Sequence, residues 1–462
     1  MTPSDPADTI AAISTPLGEA GIGVVRVSGP DAEKIARALF RPRRGGSQLR
    51  SHHLYLGRII DPSSQEIVDE VLLTIMRGPR TYTREDVVEI QCHSGVGVLR
   101  RILELTLAQG ARLARPGEFT LRAFLSGRVD LTQAEAVLEV IQARTEAGLR
   151  VAAAHLQGGL GASVQEIREG LLDLLARVEA ALDFPEEIGE MPAAAFAADL
   201  AKSMKILDSL AATYQEGRLL KEGLLVVIAG RPNVGKSSLL NALLARDRAI
   251  VTEIPGTTRD LVEEVITLAG TMVRLSDTAG LRAAQDRVEE LGIERTRERL
   301  AQADLVLYLV DGSQPLDPET RRDLGELGER PGLVMVNKID LPQELDLAAL
   351  QEATTLPAAR ISALTGAGIE DLKQRIVDLT LKHDLSAAGE IVTQARHYQH
   401  LKDCLRYLAQ ARELLASREP APAWELVALE LQEAVRELGE ITGQEVGEEV
   451  LDRIFGEFCL GK

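Results

Sequence analysis

Gly230-Arg-Pro-Asn-Val-Gly235-Lys236-Ser237 is the stretch of this chain with the most definite chemistry. It follows the apolar run Leu224 to Ala229 and leads into the helix-forming stretch Ser238 to Leu244, the strand–loop–helix context that a phosphate-binding loop requires. Gly230 and Gly235 let the backbone fold back, so that successive N–H groups along Asn233, Val234, Gly235 and on to Ser238 point inward at a β-phosphate. Lys236 then reaches the β/γ oxygens and the Ser237 hydroxyl ligates Mg²⁺. The implied ligand is a nucleoside triphosphate.

The base is read further along. Asn337-Lys338-Ile339-Asp340 follows the buried strand pattern Leu333 to Val336, so its side chains emerge at a strand's carboxyl end, where ligands bind in open α/β sheets. Asp340, an acceptor only, takes N1–H and the exocyclic amine of guanine, whereas adenine would leave it unpaired; GTP is expected over ATP. Ser362-Ala363 follows the short strand Ala359 to Ile361 and either offers its N–H groups to the guanine oxygen or forms an ordinary serine turn. Asp277-Thr278-Ala279-Gly280 ends the strand Thr271 to Leu275; Asp277 can hold Mg²⁺ through water and Gly280 can offer its N–H to a γ-phosphate. In Gly256-Thr257-Thr258-Arg259-Asp260, Thr258 is expected to complete the Mg²⁺ shell while γ-phosphate is present. Ras-type GTPases place a water-orienting Gln directly after the switch glycine; here Leu281 stands there and can neither donate nor accept a hydrogen bond. Another group must position the water, and Asp286, Glu289 and Glu290 are candidates, each otherwise a solvated charge.

The elements that must carry these loops divide the chain into about three domains over 462 residues. From Thr9 to about Phe119, strand-like runs (23–27, 54–59, 71–75, 87–90) alternate with helical ones (31–39, 96–109), a small α/β domain. Leu131 to Leu182 and Ala194 to Leu220 carry apolar residues at three- and four-residue spacing, the mark of packed amphipathic helices. That pattern breaks at Gly223 and resumes from Val392 to Leu438, so a helical domain interrupted by a nucleotide-binding module is expected. The expected boundaries are 1–119 for the N-terminal α/β domain, 120–220 and 382–462 for the two helical parts, and 221–381 for the inserted module.

With a net charge of −18, non-specific coating of nucleic acid is disfavoured, although a local basic patch can still bind RNA. Arg41-Pro-Arg43-Arg44 with Arg50 is such a patch, or a solvated loop. Cys92, Cys404 and Cys459 are too few and scattered for a disulfide framework or zinc site, which fits a reducing cytoplasm. The N-terminus lacks a signal-peptide pattern, and no segment approaches the roughly twenty apolar residues that span a bilayer; no membrane partner is expected. Cys459 is either a free surface thiol or one carried on a mobile tail to a substrate site.

The phosphate loop, Ile254-Pro-Gly-Thr-Thr-Arg-Asp260, Asp277-Thr-Ala-Gly-Leu-Arg282, Gly21-Ile-Gly-Val-Val-Arg-Val-Ser-Gly29, Arg115-Pro-Gly-Glu-Phe119 and the tail Phe458-Cys-Leu-Gly-Lys462 together resemble the MnmE (TrmE) family of bacterial tRNA-modification GTPases, over essentially the whole chain. The resemblance implies an N-terminal folate-binding α/β domain and a helical bundle interrupted by a Ras-like GTPase domain. It implies a homodimer that works with the FAD-containing MnmG, in a heterotetramer or larger complex, to install a carboxymethylaminomethyl group on the wobble uridine of certain tRNAs. The one-carbon unit would come from 5-formyltetrahydrofolate or a related tetrahydrofolate.

By the same resemblance, K⁺ beside the nucleotide is held by Asn233, Thr252, Ile254 and Thr257, within a nucleotide-contacting loop that also includes Glu253, Pro255 and Gly256. Such a cation would neutralise charge building between the phosphates and stand in for an arginine finger. The water-positioning glutamate falls on Glu289, with Glu290 as its alternative. The folate contacts fall on Arg26, Glu89, Arg128 and Lys462, and the catalytic cysteine on Cys459. Arg128 departs from the lysine usual there, keeping the charge and changing its geometry. Two other classes stay open: a GTPase switch that assists ribosome assembly, and a GTP-gated scaffold; neither needs folate.

Overall fold

The computed structural model describes residues 8–43, 48–188, 192–247, 263–268, 271–277, 299–328, 330–380, 390–416 and 423–462. The chain forms two compact units, one of Met1–Leu138, His155–Ser203 and Asp403–Lys462, the other of Glu139–Ala154 and Met204–Lys402.

The first unit contains seven strands: β1 (Ile10–Ile13), β2 (Gly23–Ser28), β3 (Phe40–Pro42), β4 (His53–Ile60), β5 (Ile67–Met76), β6 (Val87–Cys92) and β7 (Arg112–Leu113). They lie in the order β3-β4-β5-β6-β2-β1-β7, antiparallel throughout except β1 with β7. Alternation drives the layering. Val71, Leu73 and Ile75 of β5 and Val88, Ile90 and Cys92 of β6 share one core with Ile35 and Leu39 of the helix Ala32–Leu39 and Leu99 and Ile102 of the helix Val96–Ala108. The alternating residues Arg26 and Glu89 therefore point to the sheet's other face. Also in this unit, the helices Gly159–Asp183 and Trp424–Thr442 pack along each other. They bury Val164, Leu171 and Val178 on one and Val427, Leu431 and Leu438 on the other, the periodic faces read in the sequence.

The second unit holds β8 (Leu224–Gly230), β9 (Glu263–Leu268), β10 (Thr271–Asp277), β11 (Leu305–Asp311), β12 (Gly332–Asn337) and β13 (Ala358–Arg360). Their order is β13-β12-β11-β8-β10-β9, and all are parallel except the β9 edge. Leu224 to Ala229 and Leu305 to Val310 are buried without alternation, as strands covered on both faces must be. The chain leaves β8 toward β10 on one side and returns as β11 on the other, so the crevice at the carboxyl end of β8 is the point where an open α/β sheet takes a ligand. Among the described residues no helix is long and apolar enough to cross a membrane.

Candidate nucleotide site and a second polar cluster

The loop after β8 takes the backbone shape its glycines permit. Gly230 has φ 137° and Gly235 φ 103°, values that L side chains adopt only with strain. A Cβ on Gly230 would stand 2.5 Å from the Leu309 carbonyl oxygen, and one on Gly235 would run into Asn337 Nδ2. Asn233 takes φ 63° without being glycine. Lys236 opens the helix Lys236–Asp247 and is only 8% exposed; its Nζ donates to the carbonyls of Gly230 (2.9 Å) and Arg231 (2.8 Å), folding the ammonium over the loop's mouth. The loop is thus a cradle for phosphate oxygens with the Lys236 ammonium at its rim.

Asn337 ties this cradle to the base-reading loops. Its buried side chain donates through Nδ2 to the Val234 carbonyl (2.8 Å) and accepts through Oδ1 from the Ala363 N–H (2.9 Å). The asparagine is therefore a brace, and Ser362-Ala363 sits where it braces. Ser362 is fully buried and donates its hydroxyl to Asp340 Oδ1 at 2.5 Å. Lys338, held at φ 64°, donates to Asp311 Oδ2 at 2.6 Å. Asp311 also accepts from the Ser313 N–H (3.0 Å) and hydroxyl (2.6 Å). Burial alone would raise the Asp311 pKa, but Lys338 and Ser313 outweigh it and hold the carboxyl below the usual range. Sequence reading missed Asp311; its signal was an acid directly ending the apolar run Leu305 to Val310 and aligned with Asn337 on β12.

The Mg²⁺ donors named by the sequence are hard oxygens, the Ser237 hydroxyl and the Asp277 carboxylate, which suit that ion. Asp277 ends β10 with its backbone in register with Ile228 of β8, beside the strand that feeds the cradle. Thr252, Glu253, Ile254, Pro255, Gly256, Thr257, Thr258, Thr278, Ala279, Gly280, Asp286, Glu289 and Glu290 lie outside the described residues.

The first unit gathers a second set. Arg26 and Glu89 face each other across the β2–β6 ladder, and Arg26 donates from Nε (3.0 Å) and Nη2 (2.8 Å) to Glu89 Oε1. Arg26 Nη1 reaches the Gly461 carbonyl (3.3 Å), and the guanidinium lies 5.7 Å from the Phe119 ring centroid. The tail is thus docked on the sheet. Phe458 is buried, Ser14 donates to the Gly461 carbonyl (3.2 Å), and the Phe119 N–H donates to the Lys462 carbonyl (3.2 Å). Lys462 is pressed by burial and by the Arg26 charge toward a pKa below the usual lysine range, while Glu89 and Cys459 oppose that shift. Arg128 is exposed and stacks over Tyr82 at 5.0 Å, and Tyr82 and Phe119 belong to one apolar cluster. Arg26, Glu89 and Lys462 therefore meet directly, whereas Arg128 is linked to them only through Tyr82 and Phe119.

The Arg115 to Phe119 motif has a structural reason as well. Gly117 takes φ 66°, and a Cβ there would stand 2.6 Å from the Phe455 carbonyl. Glu118 is buried, where desolvation would raise its pKa, but Arg112 (2.6 Å), the Arg115 N–H (2.8 Å) and Arg122 (3.3 Å) hold it low. Of the three thiols only Cys459 is exposed; burial pushes Cys92 up to about 11 and Cys404 higher still.

The profile of the family described as "GTP-binding protein TrmE N-terminus" matches residues 9–128, and that of "MnmE helical domain" matches residues 131–459. The tRNA modification GTPase MnmE of Carboxydothermus hydrogenoformans is 45% identical over 98% of this chain and 99% of its own length. Its namesake in Moorella thermoacetica is 48% identical over the same shares. Among solved structures, the G domain of the T. maritima FeoB iron transporter is 30% identical, covering 34% of this chain and 99% of that one, at a TM-score of 0.27.

Proposed function

The chain belongs to the MnmE family of tRNA-modification GTPases, and on that premise we propose that its GTP hydrolysis is stimulated by K⁺ and drives wobble-uridine modification. With the FAD-containing partner MnmG, in a heterotetramer or larger assembly, it forms 5-carboxymethylaminomethyluridine on tRNA in the cytoplasm, acting as a homodimer. Residues 1–119 form the folate-binding domain, 221–381 the GTPase domain, and 120–220 with 382–462 the helical domain it interrupts. The packing of Gly159–Asp183 on Trp424–Thr442, distant segments of one unit, supports that interruption.

The observation that supports the nucleotide reading most is the Asn337 brace, which joins the phosphate cradle to the base-reading loops through two hydrogen bonds. Lys236 leaves its carbonyl partners for the β/γ oxygens, the loop N–H groups hold the β-phosphate, and Asp340, steadied by Ser362, accepts from guanine. Ser237, Asp277 and Thr258 hold Mg²⁺, which when bound offsets charge on the phosphates. Asn233, exposed in the loop, joins Thr252, Ile254 and Thr257 around K⁺, and Glu289 orients the water. Turnover should be severalfold faster in KCl than in NaCl at matched ionic strength; equal rates would remove the potassium role.

For the folate, Arg26, Arg128 and Lys462 offer cations to its carboxylates, and Glu89 an acceptor to the pterin edge. The docked tail holds Cys459 exposed beside them, fitting a role in the modification step. Calorimetric titration of the full chain with 5-formyltetrahydrofolate tests this half.

A further inference from the structure

We infer that the β3–β4 edge of the first unit docks the phosphate backbone of the substrate RNA. The inference rests on the tRNA reading above. From Lys34 to Ile60 the sequence carries seven Lys or Arg and two His with no acidic residue, in a chain of net charge −18. β3 is the outermost strand of its sheet, and its pairing sets Arg41 directly opposite Arg58. Like charges placed face to face across a ladder destabilise it; Glu70 stands opposite Arg58 on β5 and offsets part of that cost, and an anion over the pair would offset more of it. Arg43 lies two residues on, roughly 7 Å along the strand, its N–H bonded to the Leu56 carbonyl (2.9 Å).

These guanidiniums lack close carboxylate partners among the described residues. Arg41, Arg50 and Arg58 are exposed and form no ion pair among the described residues, and Arg43, 61% exposed, has Glu70 no nearer than 3.9 Å. Elsewhere in the same unit arginines are matched to carboxylates: Arg77 to Glu33 (2.7 Å), Arg101 to Asp61 (2.5 Å), Arg112 to Glu118 (2.6 Å). Arg41 donates instead to the carbonyls of Arg37 (3.0 Å), Ala38 (3.4 Å) and Phe40 (3.1 Å), which fixes its head at the edge. A row of forked donors on an open strand suits an extended polyanion, and the acidic remainder of the chain repels one from other surfaces.

The test is the binding of an unmodified tRNA transcript to the full-length protein by fluorescence anisotropy across 50–200 mM NaCl. Arg41→Gln/Arg58→Gln should weaken binding about tenfold and lower the slope of log K against log salt by roughly two, with GTP hydrolysis unchanged. Because Arg41 also caps carbonyls, Arg58→Gln alone serves as the second variant, with about a threefold loss and an unshifted thermal melt. Arg375→Gln, an exposed arginine of the second unit paired with Asp371, should bind as wild type. Wild-type affinity in both edge variants overturns the inference, as does an equal loss in Arg375→Gln. So does an edge-dependent affinity for phosphatidylserine vesicles with tRNA binding intact. If the wild type neither binds nor modifies tRNA, the functional reading fails with it; if it modifies tRNA while the edge variants bind normally, the edge alone is wrong.

Discussion

The nucleotide cradle of the second unit is made of main chain, whereas the Arg26–Glu89–Lys462 cluster of the first is made of side chains. Two glycines at φ 137° and 103° shape the cradle within six residues of chain, and one buried asparagine braces it. The cluster joins β2, β6 and a tail some 435 residues from Arg26, and its charges are mostly buried, with Arg26 and Glu89 18% and 22% exposed. A main-chain site fails abruptly when its backbone is forced, because no neighbour can replace a misdirected N–H. A side-chain site loses function in steps, one charge at a time.

Lys236→Ala should break that contrast hardest. It removes the ammonium folded over the cradle and should lower GTP turnover on the order of 10²–10³-fold, read by phosphate release, while leaving 5-formyltetrahydrofolate affinity unchanged. Gly235→Ala adds only a methyl group, yet it imposes a strained conformation costing about 1–3 kcal/mol. GTP affinity should fall at least about fivefold, measured with a fluorescent GTP analogue. Arg26→Gln should weaken folate binding about tenfold by calorimetry, a charged hydrogen bond being worth about 1.5–3 kcal/mol, with GTP turnover intact. Its effect on stability should stay within about 1 kcal/mol, since the Glu89 pair is partly screened.

The smallest effect is in acid. Asp311 has a native pKa depressed below its unfolded value of 3.8, so its stabilisation is present above that pH and is lost as pH falls through the native pKa. Asp311→Asn should lower stability at pH 6 and flatten the decline seen in urea melts between pH 5 and 3. A variant as acid-sensitive as wild type would detach Asp311 from Lys338.

Much of the second unit was legible in advance because its signals are local. The strand read at Leu224–Ala229 is β8, that at Thr271–Leu275 lies within β10, and that at Ala359–Ile361 overlaps β13. The short strands β1, β3 and β7 were not read, since two to four residues give no periodicity to count. Asp311 was missed because its role exists only across the β11–β12 ladder.

The sequence by itself determined that a phosphate loop exists and that helices pack on periodic apolar faces, since backbone freedom and side-chain spacing are properties of neighbouring residues. Only the tertiary structure decided that Asn337 faces Val234 and Ala363, that Arg26 meets both Glu89 and the tail, and that Arg41 stands opposite Arg58. Those contacts join segments tens to hundreds of residues apart, and strand register and burial, not local preference, bring them together.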